Sequence, residues 1–455
     1  MSHASRVRPS PSEISDLFAQ RSQWQAWLDV EAALARTQAE LGMIPAAAAE
    51  EIARKASFGH VDEAALAQDI ARTRAPVVSL VRALAQACEG EAGGFVHWGA
   101  TTQNVMQTAR AVLMRRSHEA FMGVFADVLE RLAGMAEAGA EMLAVGRTNF
   151  RQGLPITFGW KAAAWIEEML RHRSRFEGAR ERVFAAQWGG ALGAMHASGE
   201  LGPELNRRLA ARLGLGCMEV PSRAGLDYLA EYFLLLGLFS ASCSKIAREL
   251  YTLMADEIGE VYEQQGEEVV GSSTMPNKVN PKSAALALSL AARVRSCVPL
   301  ALEAMQPTHE GDGANNQMLH ALIDQTCPLA YQMICAFDEL LECLRLVPEA
   351  MRRNVAISGQ AMAAENAMMA LAPALGRTRA YACVKHAIHE AGDGSAGLAE
   401  ALLREPEVRD AIDEFALRHA LDPASYTGRS REMSLAMART AREAAKRLRE
   451  APCAA

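Results

Sequence analysis

Two serine hydroxyls, an ammonium and an amide fall within one short polar stretch, Gly271-Ser272-Ser273-Thr274-Met275-Pro276-Asn277-Lys278-Val279-Asn280-Pro281. A serine hydroxyl is too weak a base to take a proton from carbon on its own. It becomes competent when a cation and clustered N–H donors stabilise its alkoxide in a site that excludes water. Lys278 offers the cation, and the same donors would stabilise the dianion formed when a proton leaves the carbon beside a carboxylate. Gly271 permits backbone angles that other residues resist. Pro281 suits the first turn of a following helix, whose start is expected to offer free N–H groups to an anion. A Ser-Ser pair alone would read as a helix cap; the whole string asks for more than capping.

Two further polar segments carry similar groups. His97-Trp98-Gly99-Ala100-Thr101-Thr102-Gln103-Asn104 combines an imidazole with two hydroxyls, and Gly146-Arg147-Thr148-Asn149-Phe150-Arg151 joins two cations, a hydroxyl and an amide. His97 is the leading candidate for a general acid. Other features are bland. Met368 and Met369 read as core filler. His386 and His389 share a helix face without a third ligand nearby, so no metal is expected. The nine cysteines form no CxxC pair and read as reduced thiols. No G-x-G-x-x-G follows a strand, so no cofactor is implied.

The elements that must position these groups are helices. Aromatics make up only 6% of the 455 residues, and Ala, Leu, Met, Glu and Arg dominate. Apolar periodicity predicts helices over 15–45, 46–88 with a break at Ala75-Pro76, 103–143, 157–186, 225–263, 282–303 and 317–350, with shorter ones after that. Helices near or beyond 30 residues imply a bundle more than about 45 Å long. Apolar stripes on helices this long call for association of several subunits. A coiled-coil scaffold is the structural alternative, but it would have no use for the polar loops. A net charge of −7 without a Lys/Arg run excludes nucleic acid as a natural partner. Residues 1–13 show no signal-peptide core, and the most apolar stretch, 228–242, reads as too short to span a membrane, so a cytoplasmic protein is expected.

The eleven-residue string resembles the G-S-S-x-M-P-x-K-x-N-P signature of the fumarase/aspartase superfamily. The segments at 97–103 and 146–149 resemble that family's other two signature loops. The stretch from Ala364 to Pro373 is similar to the branch containing 3-carboxy-cis,cis-muconate cycloisomerase and adenylosuccinate lyase. The resemblance covers essentially the whole chain. It implies an all-α, three-domain, elongated fold, divided here at 1–110, 111–355 and 356–455. It also implies a homotetramer with a central twenty-helix bundle and active sites shared between three subunits. The implied chemistry is cofactor-independent anti β-elimination from a di- or polycarboxylate of the succinate type, or lactonisation in the cycloisomerase branch. Residue by residue, Ser272 would be the base. Lys278, Asn280, Ser273 and Met275 would hold substrate together with Thr101, Thr102, Thr148 and Asn149.

The chain departs from that pattern in five places. Asn149 and Ala285 stand where many members carry a His–Glu pair, Gly225 stands where a glutamine is usual, and Leu226 and Gly311 stand where arginines are usual. Losing a carboxylate's cation from a buried site costs about 2–5 kcal/mol, so a smaller or less charged substrate than a tricarboxylic muconate is expected. Arg147, Arg151 and Arg223 are possible substitutes. A homologue that kept the fold and lost the chemistry is the rival from another class.

Overall fold

The computed structural model describes residues 8–266, 269, 271–392 and 397–450. Glu267, Glu268 and Val270, just before the signature string, residues 393–396 and the chain ends lie outside them. The chain is mostly helical, with short paired strands at its turns. Six long helices form the main body: α1 (Gln20–Glu40), α2 (Thr102–Ala138), α3 (Phe158–Val183), α4 (Asp227–Leu253), α5 (Lys282–Ser296) and α6 (Gly313–Cys343). The last helix, α7 (Ser430–Glu450), returns to pack along α2 and α3. A second, smaller apolar core between Ala367 and Leu421 holds the short helices that precede α7.

Helix α2 sets the dimensions. Its 37 residues contain no proline and span about 55 Å at 1.5 Å per residue. It buries Phe121, Phe125, Leu129 and Leu132 at helical spacing. Around its middle, His118, Phe121, Phe176, Phe184, Tyr232 and Phe239 pack mainly edge to face, with ring centroids 5.0–6.2 Å apart. This aromatic cluster ties α2 to α3 and α4 and fixes the distance between the two ends.

The sequence predicts helix through residue 143, but α2 stops at Ala138 and an antiparallel hairpin follows: β1 (Leu143–Thr148) and β2 (Arg151–Thr157). The stop has a packing cause. At Gly139 an added Cβ would fall 2.7 Å from the backbone nitrogen of Gly159, which donates 2.8 Å to the Gly139 carbonyl. Two backbones can meet this closely only at glycine. The expected helix over 225–263 likewise ends at Leu253, before β3 (Val261–Glu263) pairs with β4 (Leu344–Leu346). The expected helix over 282–303 breaks at Cys297.

The 228–242 stretch lies within the longer apolar helix Asp227–Leu253. By length and composition alone, Asp227–Leu253 and the 282–304 pair could each cross a membrane. The apolar window of α4 is 61% buried against its neighbours, that of 282–304 only 28%. The first is a core helix; the second leaves an apolar face uncovered in a single chain.

Candidate active site

The candidate residues separate into two sets, one at each end of α2. At its start the chain turns tightly, with the Ala100 N–H donating to the His97 carbonyl at 3.2 Å. His97 is held at φ +61°, a left-handed conformation uncommon outside glycine. Its Nδ1 lies 2.6 Å from Oε1 of Glu31 on α1, a carboxylate only 1% exposed. A carboxylate on one ring nitrogen fixes the ring's orientation and leaves Nε2 for a ligand. Gln38 secures the same turn by donating to the Trp98 carbonyl at 2.7 Å. Thr101 is the N-cap residue of α2, yet its side chain makes no capping hydrogen bond. That leaves its hydroxyl and the first N–H groups of a long helix open to an acceptor.

Neighbouring loops wall this end. Asn104 donates to the Gln187 carbonyl at 2.9 Å and accepts from the Gly190 N–H at 3.1 Å. Gln187 reaches the Ser222 carbonyl at 2.9 Å, and Gln103 reaches Asn316 at 3.3 Å. The segments 97–104, 187–193, 221–225 and 309–316 therefore meet around the start of α2. Leu226, one of the vacated arginine positions, is 1% exposed and part of the core.

The hairpin and signature loop lie beyond the other end of the bundle. Asn149 and Phe150 occupy the turn at φ +51° and +60°, the pattern of a tight hairpin that asparagine tolerates well. Phe150 is 96% exposed. Thr148, at the end of β1, pairs across with Arg151. Arg147 is not a free cation: it forms a two-pronged bridge to Glu260, at 3.1 and 2.5 Å, and that carboxylate is fully buried and also held by Asn354 at 2.8 Å.

Within the signature loop, the Ser272 hydroxyl oxygen accepts from the N–H groups of Met275 at 3.1 Å and Thr274 at 3.4 Å. Those are donors of the kind an alkoxide needs. Asn280 clasps the loop by donating to the Gly271 carbonyl at 3.1 Å, and its own carbonyl accepts from Gln265 at 2.6 Å. An added Cβ at Gly271 would meet the Lys278 carbonyl at 2.5 Å, so this clasp requires glycine. Ser273, Met275 and Lys278 are exposed in the single chain.

One expectation is corrected here. The start of α5 does not offer free N–H groups to an anion. The Glu263 carboxylate accepts from Ser283 N at 3.0 Å and Ala284 N at 2.8 Å. Pairing of β3 with β4 puts Glu263 directly beneath that helix start, and its negative charge already complements the helix dipole.

The structure thus brings His97, Thr101 and Thr102 together at one end, and roots the hairpin of Thr148 and Asn149 and the loop of Ser272, Ser273, Met275, Lys278 and Asn280 at the other. It does not join the two sets within one chain. Cavities of about 170 and 400 Å³ are lined by none of these residues. No cluster of three His, Cys, Asp or Glu side chains suited to a metal occurs among the described residues. Sequence reasoning missed Glu31. The available signal was a carboxylate inside the apolar stripe Trp24, Trp27, Leu28, Val30, Leu34, where a charge needs a partner.

The chain matches known proteins along most of its length. A family model described as "Lyase" matches residues 6–296, and one described as "Adenylosuccinate lyase C-terminus" matches 360–436. The chain is 34% identical to an adenylosuccinate lyase of Methanothermobacter thermautotrophicus, over 95% of this chain and 97% of that one. It is also 34% identical to a 3-carboxy-cis,cis-muconate cycloisomerase of Pseudomonas aeruginosa, over 91% of each. The crystal structure of a fumarate lyase from a Mesorhizobium species superposes with a TM-score of 0.85 at 32% identity, covering 96% of this chain and 99% of that one. The chain belongs to the fumarase/aspartase superfamily of lyases.

Proposed function

We propose that the protein is a cofactor-independent lyase that performs anti β-elimination on a substituted succinate, releasing fumarate or an analogue. Ser272, as alkoxide, takes the proton from the carbon next to one carboxylate. The C–H electron pair becomes the new double bond, and the bond to the leaving group on the adjacent carbon breaks with its electrons on the leaving group. His97 Nε2 donates a proton to that group, which departs neutral. Lys278 and the N–H groups near Ser272 stabilise the dianionic intermediate. Asn280 keeps the loop closed, while Ser273, Met275, Thr101, Thr102, Thr148 and Asn149 contact substrate.

The observation that carries this reading is the Glu31–His97 pair. It supplies an oriented imidazole in a chain that has Asn149 and Ala285 where relatives of this type place a His–Glu pair. Because the two sets of residues stand about 55 Å apart along α2, the reading requires a homo-oligomer with sites shared between subunits, and the assembly proposed is a tetramer. The apolar face on 282–304 is available to cover.

Lactonisation of a carboxymuconate is the second reading, favoured by the missing second-loop histidine. The test is a turnover screen of purified protein against substituted succinates and carboxymuconate, with Ser272→Ala and His97→Gln alongside. Fumarate release lost in both variants supports the lyase. Loss of diene absorbance instead makes the protein a cycloisomerase. Dissociating and reassociating the two inactive variants together should restore activity, since some mixed sites then carry both Ser272 and His97. Failure to restore it would reject the shared site.

A further inference from the structure

Three arginines stand near enough in sequence to the signature segments to replace the cations missing at Leu226 and Gly311. The structure separates them. Arg147 is neutralised by buried Glu260. Arg151 is exposed on the hairpin, at the opposite end of the bundle from Gly311. Arg223 alone of the three lies against Gly311, in the wall around His97, Thr101 and Thr102.

Its setting is specific. A Cβ added at Gly311 would fall 3.4 Å from Cζ, 3.4 Å from Nη2 and 3.6 Å from Nε of Arg223. Near-equal distances to three atoms of one plane mean that the guanidinium lies flat over Gly311. Any longer side chain at 311 would displace it, so the glycine that removes one cation also makes room for another. Nη1 is tied to the Ala191 carbonyl at 2.8 Å, which fixes the plane. Nε is buried with no hydrogen-bond partner, and no carboxylate among the described residues pairs with the group. With its face on glycine backbone, one corner tied and Nε covered by its neighbours, Nη2 is the corner left for an acceptor. A guanidinium N–H donating to a carboxylate makes a charge-assisted hydrogen bond.

We propose that Arg223, seated in the space that Gly311 leaves, anchors a carboxylate of the substrate beside the first loop. The proposal rests on the reading of this site as one for succinate-type acids. It assigns the charge recognition lost at position 311 to a neighbouring loop, and makes Arg223 and Gly311 a coupled pair that determines which acids bind.

The experiment measures binding rather than turnover. Full-length oligomer is titrated calorimetrically with fumarate and with propane-1,2,3-tricarboxylate, using wild type, Arg223→Gln, Arg223→Lys and the double variant Arg223→Gln/Gly311→Arg. Arg223→Gln should weaken binding roughly 30-fold, with Lys intermediate. The double variant should recover much of the loss, because it returns a cation to the same space from the other side. Wild-type binding unchanged in Arg223→Gln would overturn the anchor and leave the lyase reading standing. Weaker binding that neither Lys nor Gly311→Arg restores would also overturn it, assigning the effect to the Ala191 contact. Absence of any wild-type binding to either acid would remove the underlying reading and the proposal together.

Discussion

The two ends of the Thr102–Ala138 helix handle polar groups in opposite ways. At its start, polar groups are left without partners: Thr101 does not cap and Arg223 has an unpartnered buried Nε, while His97, at a left-handed φ, pairs with Glu31 through Nδ1. At the far end nearly everything is closed internally: Arg147 by Glu260, the α5 start by Glu263, and the Asn280 amide by Gly271. Buried donors without partners are unfavourable unless a ligand completes them. The first end is therefore built as a rigid receiving wall. The second is a self-supporting platform that carries an exposed loop outward, on the proposed reading toward another subunit's wall. On the proposed reading, the proton donor and the proton acceptor belong to structures that differ in how much they need a partner.

The sharpest way to break this comparison is to remove the reactive group from the platform. Ser272→Ala should lower kcat by about 10⁴-fold, the upper end for acid–base groups, with circular dichroism and oligomeric state unchanged. An activity loss of less than tenfold would take Ser272 out of the chemistry. His97→Gln should cost about 10²–10³-fold, and the loss should shrink for a substrate whose leaving group departs without a proton, such as nitrite. Equal losses for both leaving groups would mean that the imidazole serves binding rather than proton donation.

Much of the helical fold and the three polar loops were legible in the sequence, and the rest was not for physical reasons. The long helices followed from apolar spacing that extends across many turns, as in Phe121, Phe125, Leu129 and Leu132 of α2. The hairpin after α2 was hidden because its cause, the backbone contact of Gly139 with Gly159, joins residues twenty apart. The three loops were recognisable by residue type, but their partners were not. Glu31 reaches His97 across 66 positions, and Glu263 reaches the α5 start only because β3 pairs with β4. The expectation of an open α5 start failed there, since a cap delivered by tertiary structure leaves no local signature. The three candidate arginines looked equivalent in one dimension and became unlike once their neighbours were known.

Two stability measurements test the closed end and the shaft. Glu260→Gln leaves Arg147 without its buried counter-charge and should destabilise the fold by about 3 kcal/mol, read as a lower urea midpoint. No change would mean that the bridge is solvated in solution. In the shaft, burial, with a smaller push from Arg180, drives the His118 imidazole down to about 3. The unfolded chain titrates near the ordinary value of about 6.5 and so binds more protons than the fold below it. The stability contributed by neutral His118 is complete above that value and is lost as pH falls toward the folded value, at up to about 1.4 kcal/mol per pH unit. His118→Phe should flatten the fall in urea midpoint between pH 6.5 and 5; an unaltered slope would move the acid sensitivity to His172 or His320, which burial also pushes down.

The smallest effect is the most pointed, because it converts one end toward the other. Glu263→Gln keeps one of the two cap hydrogen bonds, since its amide nitrogen cannot accept, and removes the charge; it should cost about 1–2 kcal/mol of stability. Without that charge the α5 start would resemble the α2 start, a helix N-terminus with its positive field uncompensated. If the two ends differ because Glu263 closes one of them, the variant should bind fumarate more tightly or at an additional site by calorimetry. If binding is unchanged while stability falls, Glu263 is a cap alone, and the preference for anions at the first end comes from Arg223 and the Thr101 hydroxyl rather than from an open helix start.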